Sequence, residues 1–314
     1  MELPAASSSP RHARLALLAV GIAVLTWGWS NVASKTVSTT GLVISFYRLW
    51  FAVPALWVVP VLSPAVRSRL DRRWLNASIV GGLLFGVHQL FFFTSLKLTS
   101  IANVSIIGSL QPALVLLVAG RMFGERVTRR ALLWSAVALA GTAIVVVGSH
   151  GTPGWSPLGD VLATLNLFSF TFYFLASKRI RADVRPTEYV IGMTSVAALF
   201  MLAVCLVSGQ DLASPQPSDW SILVGLALIS GTLGHLLTNW AHAHTSAFVV
   251  SIMFLGTPVL ASVGAAVFLG ETLGPIQILG GTIVFGAITT IVLSTHSEAV
   301  AEELAESAAE TDAP

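Results

Sequence analysis

Apolar residues in this chain come in long unbroken runs separated by short polar stretches. The runs fall near residues 15–33, 42–62, 76–96, 101–120, 131–148, 158–177, 187–208, 220–240, 246–269 and 275–294. Each is long enough to cross hydrocarbon as a helix, which satisfies its own backbone there. A membrane β-barrel would need alternating segments of about ten residues, and the pattern contains none. The runs therefore predict an all-α membrane protein with ten transmembrane helices. The stretch Lys97–Ser100 is so short that the third and fourth spans nearly merge. The first run, Leu15 to Ala33, outlasts the roughly 7–15 residues of a signal-peptide core and reads as a retained helix.

Composition sharpens this picture. Only 10% of residues are charged and 54% are hydrophobic, against roughly 25% charged in a soluble domain. The mean hydropathy is +0.81. Ten spans leave no length for a soluble catalytic domain, which excludes a secreted enzyme, a nucleic-acid-binding domain and a cytosolic globule. The lone Cys205 cannot form an intrachain disulfide. Arginine outnumbers lysine, which points to a high-GC bacterial source.

The net charge of +2 says little, but its distribution sets an orientation. With the N-terminus inside, Arg11 and Arg14, Arg67 to Arg73, Arg121 to Arg130, and Lys178 to Arg185 all fall on the cytoplasmic side. Lys35 and Lys97 fall outside, and Arg48 lies within the second span. Both termini are then cytoplasmic. The acidic tail 297–314 has little to bury and reads as a solubilising tail.

An internal repeat changes the functional prior. Shifting the chain by 146 residues aligns Thr99-Ser100 with Thr245-Ser246 and Val104-Ser105-Ile106 with Val250-Ser251-Ile252. Pro112, Leu114, Ala119, Gly124 and Glu125 then meet Pro258, Leu260, Ala265, Gly270 and Glu271. At an offset of 143, Ala33-Ser34-Lys35 meets Ala176-Ser177-Lys178 and Trp27 meets Phe170. The predicted organisation is a cytoplasmic N-tail (1–14), a five-helix repeat (15–150), a second five-helix repeat (151–296) and the tail. Five is odd, so the second copy enters from the opposite side and the repeat is inverted. Secondary transporters use such repeats to alternate access by rocking one half against the other.

Trp27-Gly28-Trp29-Ser30-Asn31, Phe46-Tyr47-Arg48-Leu49 and the Pro…Gly-Glu pattern ending the fourth and ninth spans resemble the EamA-type family of the drug/metabolite transporter superfamily. The resemblance covers about residues 15–294 as two tandem copies. It implies a ten-helix inner-membrane carrier, often an exporter of amino acids or other small metabolites. The second copy departs from the pattern, reading Phe170-Thr171-Phe172-Tyr173-Phe174 where the first has Trp-Gly-Trp-Ser-Asn.

Candidate cavity residues follow from polar groups at helical spacing. The first span offers Trp27 and Asn31, the sixth Phe170 and Tyr173 alongside Asn166, the third His88 and Phe92, and the eighth His235 and Asn239. Ionisable groups in a bilayer rarely face lipid. Both histidines therefore belong to the interior, either lining a cavity or tying helices together. Arg48 either snorkels or binds a carbonyl, or it meets an anionic solute. Pro112 and Pro258, with serines on the same stripe, are hinge candidates, since each removes a helix hydrogen bond; packing of small residues is the alternative. Glu125 and Glu271 read as structural, and Trp155 and Trp220 as interfacial.

The chain has no P-loop motif and no carboxylate near the middle of a span. No cofactor, metal site or nucleic-acid partner is expected. Movement is expected to be facilitated, or else coupled through His88 or His235. The reading is a carrier, working as a monomer or weak homodimer, that exports a small organic metabolite such as an amino acid. A multidrug or amphipathic-amine efflux carrier is the alternative, and a scaffold or lipid-modifying enzyme is the rival from another class.

Overall fold

A computed structural model describes residues 10–99, 101–124, 128–148, 156–269, 274–276, 278–291 and 293–294. The described residues are helical, with no strand among them. In chain order the helices are α1 (Pro10–Thr36), α2 (Gly41–Leu62), the single turn α3 (Pro64–Arg67), α4 (Arg72–Leu98), α5 (Ile101–Gly108), α6 (Gln111–Phe123), α7 (Arg129–Gly148), α8 (Pro157–Ile180) and α9 (Pro186–Val207). Then come α10 (Asp219–Gly225), a π-helical stretch Leu226–Leu233, α11 (Gly234–Ala241), α12 (Ala247–Met253), α13 (Gly256–Leu269) and α14 (Ile278–Ile291). Among the described residues, seven helical runs are long and apolar enough to cross a membrane: α1, α2, α4, α8, α9, Asp219–Ala241 and Ala247–Phe268. The apolar helices α6 and α14 are shorter.

Helix ends carry the chemistry expected of them. Thr40, Asp71, Ser156 and Ser246 each accept a hydrogen bond from the backbone N–H three residues on, opening α2, α4, α8 and α12. Pro157 and Pro186 occupy first-turn positions where no donor is lost. Gly124 closes α6 with φ at 68°, a left-handed cap that glycine adopts without strain.

Two predicted spans are not continuous helices. The fourth breaks at Ser109–Leu110 and the ninth at Phe254–Leu255. Each break lies a few residues before its proline, Pro112 or Pro258, and the two breaks are 145 residues apart. Proline lacks an N–H and its ring crowds the carbonyl four residues earlier, so the helix fails on the N-terminal side. The eighth span is also irregular. In its π-helical stretch the Thr232 hydroxyl bonds the carbonyl of Ala227, five residues back.

Packing runs across the two halves of the chain. α1 lies against α11 and α13, α4 against α8 and α9, and α2 against α9 and the π-helical stretch. Exchanging each helix for its counterpart in the other half maps most of these pairings onto one another: α1·α11 becomes α8·α4, and α2·π becomes α9·α4. One apolar cluster joins Ala16, Val20 and Val24 of α1 to Phe174, Ala241, Val250 and Phe254. Another joins Ala33 and Val37 to Ile44, Phe93, Leu96, Val104 and Ala163. The tail 297–314, Trp155, Glu125 and Glu271 lie outside the described residues. Trp220 packs its ring on Tyr47 at 4.9 Å.

Candidate functional site

A cavity of about 140 Å³ lies between those two apolar clusters. By volume it would hold on the order of ten waters, the size class of a small organic solute. Its wall comes from α1, α2, α4, α5, α6, α8, α11, α12 and α13. Of the residues expected from sequence, Trp27, Asn31, Arg48, His88, Phe92, Phe170 and His235 line it, and so do Pro112 and Pro258. Tyr173 and Asn239 do not. They stand behind His235: Tyr173 Oη is 3.3 Å from His235 Nδ1, and Asn239 Nδ2 is 3.5 Å from that phenol.

The wall is aromatic with a polar strip. Trp27 lies 4.9 Å from Phe254 and 5.1 Å from His235, ring centre to ring centre. Its indole N–H donates to the Ser230 carbonyl at 3.1 Å, which fixes the ring across the two halves. The His88 ring lies 4.6 Å from that of Phe170, tilted by 32°, and shares a 2.7 Å hydrogen bond between Nδ1 and Asn166 Oδ1. With the amide oxygen accepting, the imidazole carries its proton on Nδ1 and leaves Nε2 as an acceptor. Arg48 Nη1 donates to Gln89 Oε1 at 2.5 Å.

Gln89, Gln111 and Thr257, not among the residues expected from sequence, also line the cavity. Gln111 and Thr257 are the residues before Pro112 and Pro258, 146 positions apart. Their equivalence was available in the repeat alignment. Gln89 carried a weaker signal, an amide one position after His88.

Outside the cavity, the same hydrogen bond is made twice. Lys35 Nζ donates to the Thr99 carbonyl at 2.7 Å, and its repeat counterpart Lys178 donates to the Thr245 carbonyl at 2.8 Å. The first lies near the C-terminal end of α1. The second lies beside His244, whose ring stacks 5.3 Å from His12 at the opposite end of α1. At 1.5 Å per residue the two ends are about 35 Å apart. Each latch has a companion. Lys97 Nζ reaches the Val37 carbonyl, and Arg181 Nε donates to the Asn239 carbonyl at 3.2 Å. Burial draws the Arg181 pKa down to about 10, opposed by Glu188 and Tyr189, so it stays charged at neutral pH. Among the described residues no three His, Cys, Asp or Glu side chains gather as a metal site requires.

The sequence profile of the EamA-like transporter family matches residues 14–147 and again residues 157–293. The aromatic amino acid exporter YddG of Ancylobacter novellus is 30% identical over 222 residues, covering 68% of this chain and 74% of that relative. The pseudopaline exporter CntI of Pseudomonas aeruginosa is 26% identical over 282 residues, 88% of this chain and 95% of the relative. The threonine/homoserine exporter RhtA of Escherichia coli is 28% identical over 138 residues, 43% of this chain and 45% of the relative. A solved crystal structure shares the fold, with a TM-score of 0.73 at 20% identity over 88% of this chain and 97% of its own.

Proposed function

Because the chain belongs to the EamA-like transporter family, we propose that it is a secondary transporter exporting a small organic metabolite, such as an amino acid, across the bacterial inner membrane. The observation that carries this reading is the central aromatic cavity with a cation-to-carbonyl latch near each end. A channel would need an open path, and an enzyme acting on lipid would need a reactive group near the interface. The relatives named above, all exporters, support the same direction of transport.

The mechanism that fits is alternating access by two inverted five-helix repeats, ten spans in all, with both termini cytoplasmic. The repeats would not rock as intact halves, since α1 and α8 each pack mainly on the other half. Moving bodies that keep the close contacts are mixed. One holds α1, α11, α12 and α13; the other holds α4, α5, α6 and α8. Lys35 and Lys97 join these bodies at the outer end, and Lys178 and Arg181 join them at the inner end. No carboxylate lines the cavity among the described residues, which favours facilitated movement down the solute gradient.

Purified protein in proteoliposomes, loaded with a panel of amino acids and amines and run with and without a pH gradient, tests this. Trp27→Ala and His88→Ala are expected to change flux or selectivity at least about tenfold. If neither changes either quantity, the cavity is not the transport site; accumulation driven by the pH gradient would sink the facilitated mechanism.

A further inference from the structure

Among the described residues the cavity wall holds a buried cation and no carboxylate. Arg48 is 3% exposed and lines the cavity. A guanidinium has five N–H donors. Here Nη1 is held by Gln89, Nη2 lies 3.4 Å from His235 Nε2, and Nε has no partner. The guanidinium carbon sits 5.4 Å over the Phe93 ring. The described ion pair is elsewhere, between Arg69 and Glu188. A buried charge with neutral neighbours is costly, and a bilayer core retains one where function uses it.

Gly231, in the π-helical stretch of the eighth span, lies beside Arg48; a methyl there would crowd the Leu226 carbonyl oxygen at 2.9 Å and stand in ordinary contact, 3.5 Å, with Arg48 Cγ and Nε. Gly41 lets α2 run against the backbone of α4 at Phe93, which brings Arg48 within reach of Gln89. Two further groups on the wall are buried without a partner: the Gln111 amide nitrogen and the Thr257 hydroxyl. All three unsatisfied groups can donate a hydrogen bond, and one carries positive charge. The rest of the wall mixes aromatic rings (Trp27, Phe92, Phe93, Phe170, Phe254) with neutral polar side chains such as Asn31 and Ser251.

We propose that Arg48 binds the carboxylate of the cargo. The substrate class is then amino acids or organic acids with a free carboxylate and an apolar or aromatic body, and amphipathic amines are excluded. This rests on the reading of the chain as a small-metabolite carrier. A carboxylate accepts two parallel hydrogen bonds from a guanidinium, whereas an ammonium group would place like charge beside it.

The test is counterflow in proteoliposomes holding the full-length protein, with two series matched in body and differing in head group. One series is L-phenylalanine, 3-phenylpropionate, phenylalaninamide and phenethylamine. The other is L-leucine, 4-methylpentanoate, leucinamide and isopentylamine. The carboxylates are expected to move at least about tenfold faster than the amides and amines of the same body. Arg48→Gln should bring the carboxylates down to the amide rate. Arg48→Lys should fall between, because it keeps the charge and loses the fork. Amines or amides moving as fast as the acids in the unmodified protein would overturn the proposal while leaving the carrier reading intact. So would an Arg48→Gln protein, eluting as a single species, that keeps the acid rate. If Arg48→Gln does not fold, the acid-to-amide ratio of the unmodified protein decides alone. If no compound of either series moves, the carrier reading fails and this inference fails with it.

Discussion

Tyr173 shows how a side chain can shape a cavity without touching what the cavity holds. It shares a helical face with Asn166 and Phe170, both of which line the wall. One turn further on, that face is already packed against His235 and Asn239. Asn239 relates to His235 in the same way on α11. Periodicity along a helix identifies the buried face, but the depth at which a cavity ends depends on what the facing helices place there. The helical faces that carry seven cavity-lining residues were thus legible in the sequence, and the point at which Tyr173 and Asn239 pass behind the wall was not. Tyr173→Phe leaves His235 Nδ1 without its hydroxyl partner. It should lower stability by about 1 kcal/mol, read as a fall of a few degrees in the melting temperature in detergent. Selectivity across the solute panel should be unchanged; a changed selectivity would put Tyr173 in contact with cargo after all.

Among the elements, the broken fourth and ninth spans matter most for movement. Among the described residues the predicted runs are helical apart from the two breaks, and seven of them form helices long and apolar enough to cross a membrane, because long apolar segments in lipid have little other choice. The breaks were legible as prolines, but their position was not. The helix parts at Ser109–Leu110 and Phe254–Leu255, where the prolines withhold a donor and crowd the preceding turn. Gln111 and Thr257 sit between break and proline, so a swing of either half-helix moves a polar cavity group with it. Pro112→Ala and Pro258→Ala each return a backbone donor and favour a straight helix. Each should slow turnover several-fold while leaving the half-saturating solute concentration within about twofold. An unchanged maximal rate in both variants would mean the breaks are static.

For the whole molecule, the paired latches make a prediction of opposite signs. Lys35 and Lys178 hold opposite ends of the same two bodies. Each bond, discounted for solvent screening, contributes about 1 kcal/mol, or roughly a fivefold bias. In a Cys205→Ser background carrying Ser105→Cys on the cavity wall, an impermeant thiol reagent reads the balance from either side of sealed vesicles. Lys35→Met should raise labelling from the Lys35 side and lower it from the other, and Lys178→Met should do the reverse. Shifts of the same sign in both variants would rule the latches out as opposing gates. The crossed packing of the halves also bears on how the protein is made. The Trp27 indole finds its acceptor, Ser230, 203 residues later. At 5–20 residues per second a ribosome needs about 10–40 s to supply it. Until then α1 waits in the bilayer without α11 and α13, and no cavity exists. A chain cut short in synthesis is therefore not half a transporter. It lacks the enclosed path through which a membrane would leak.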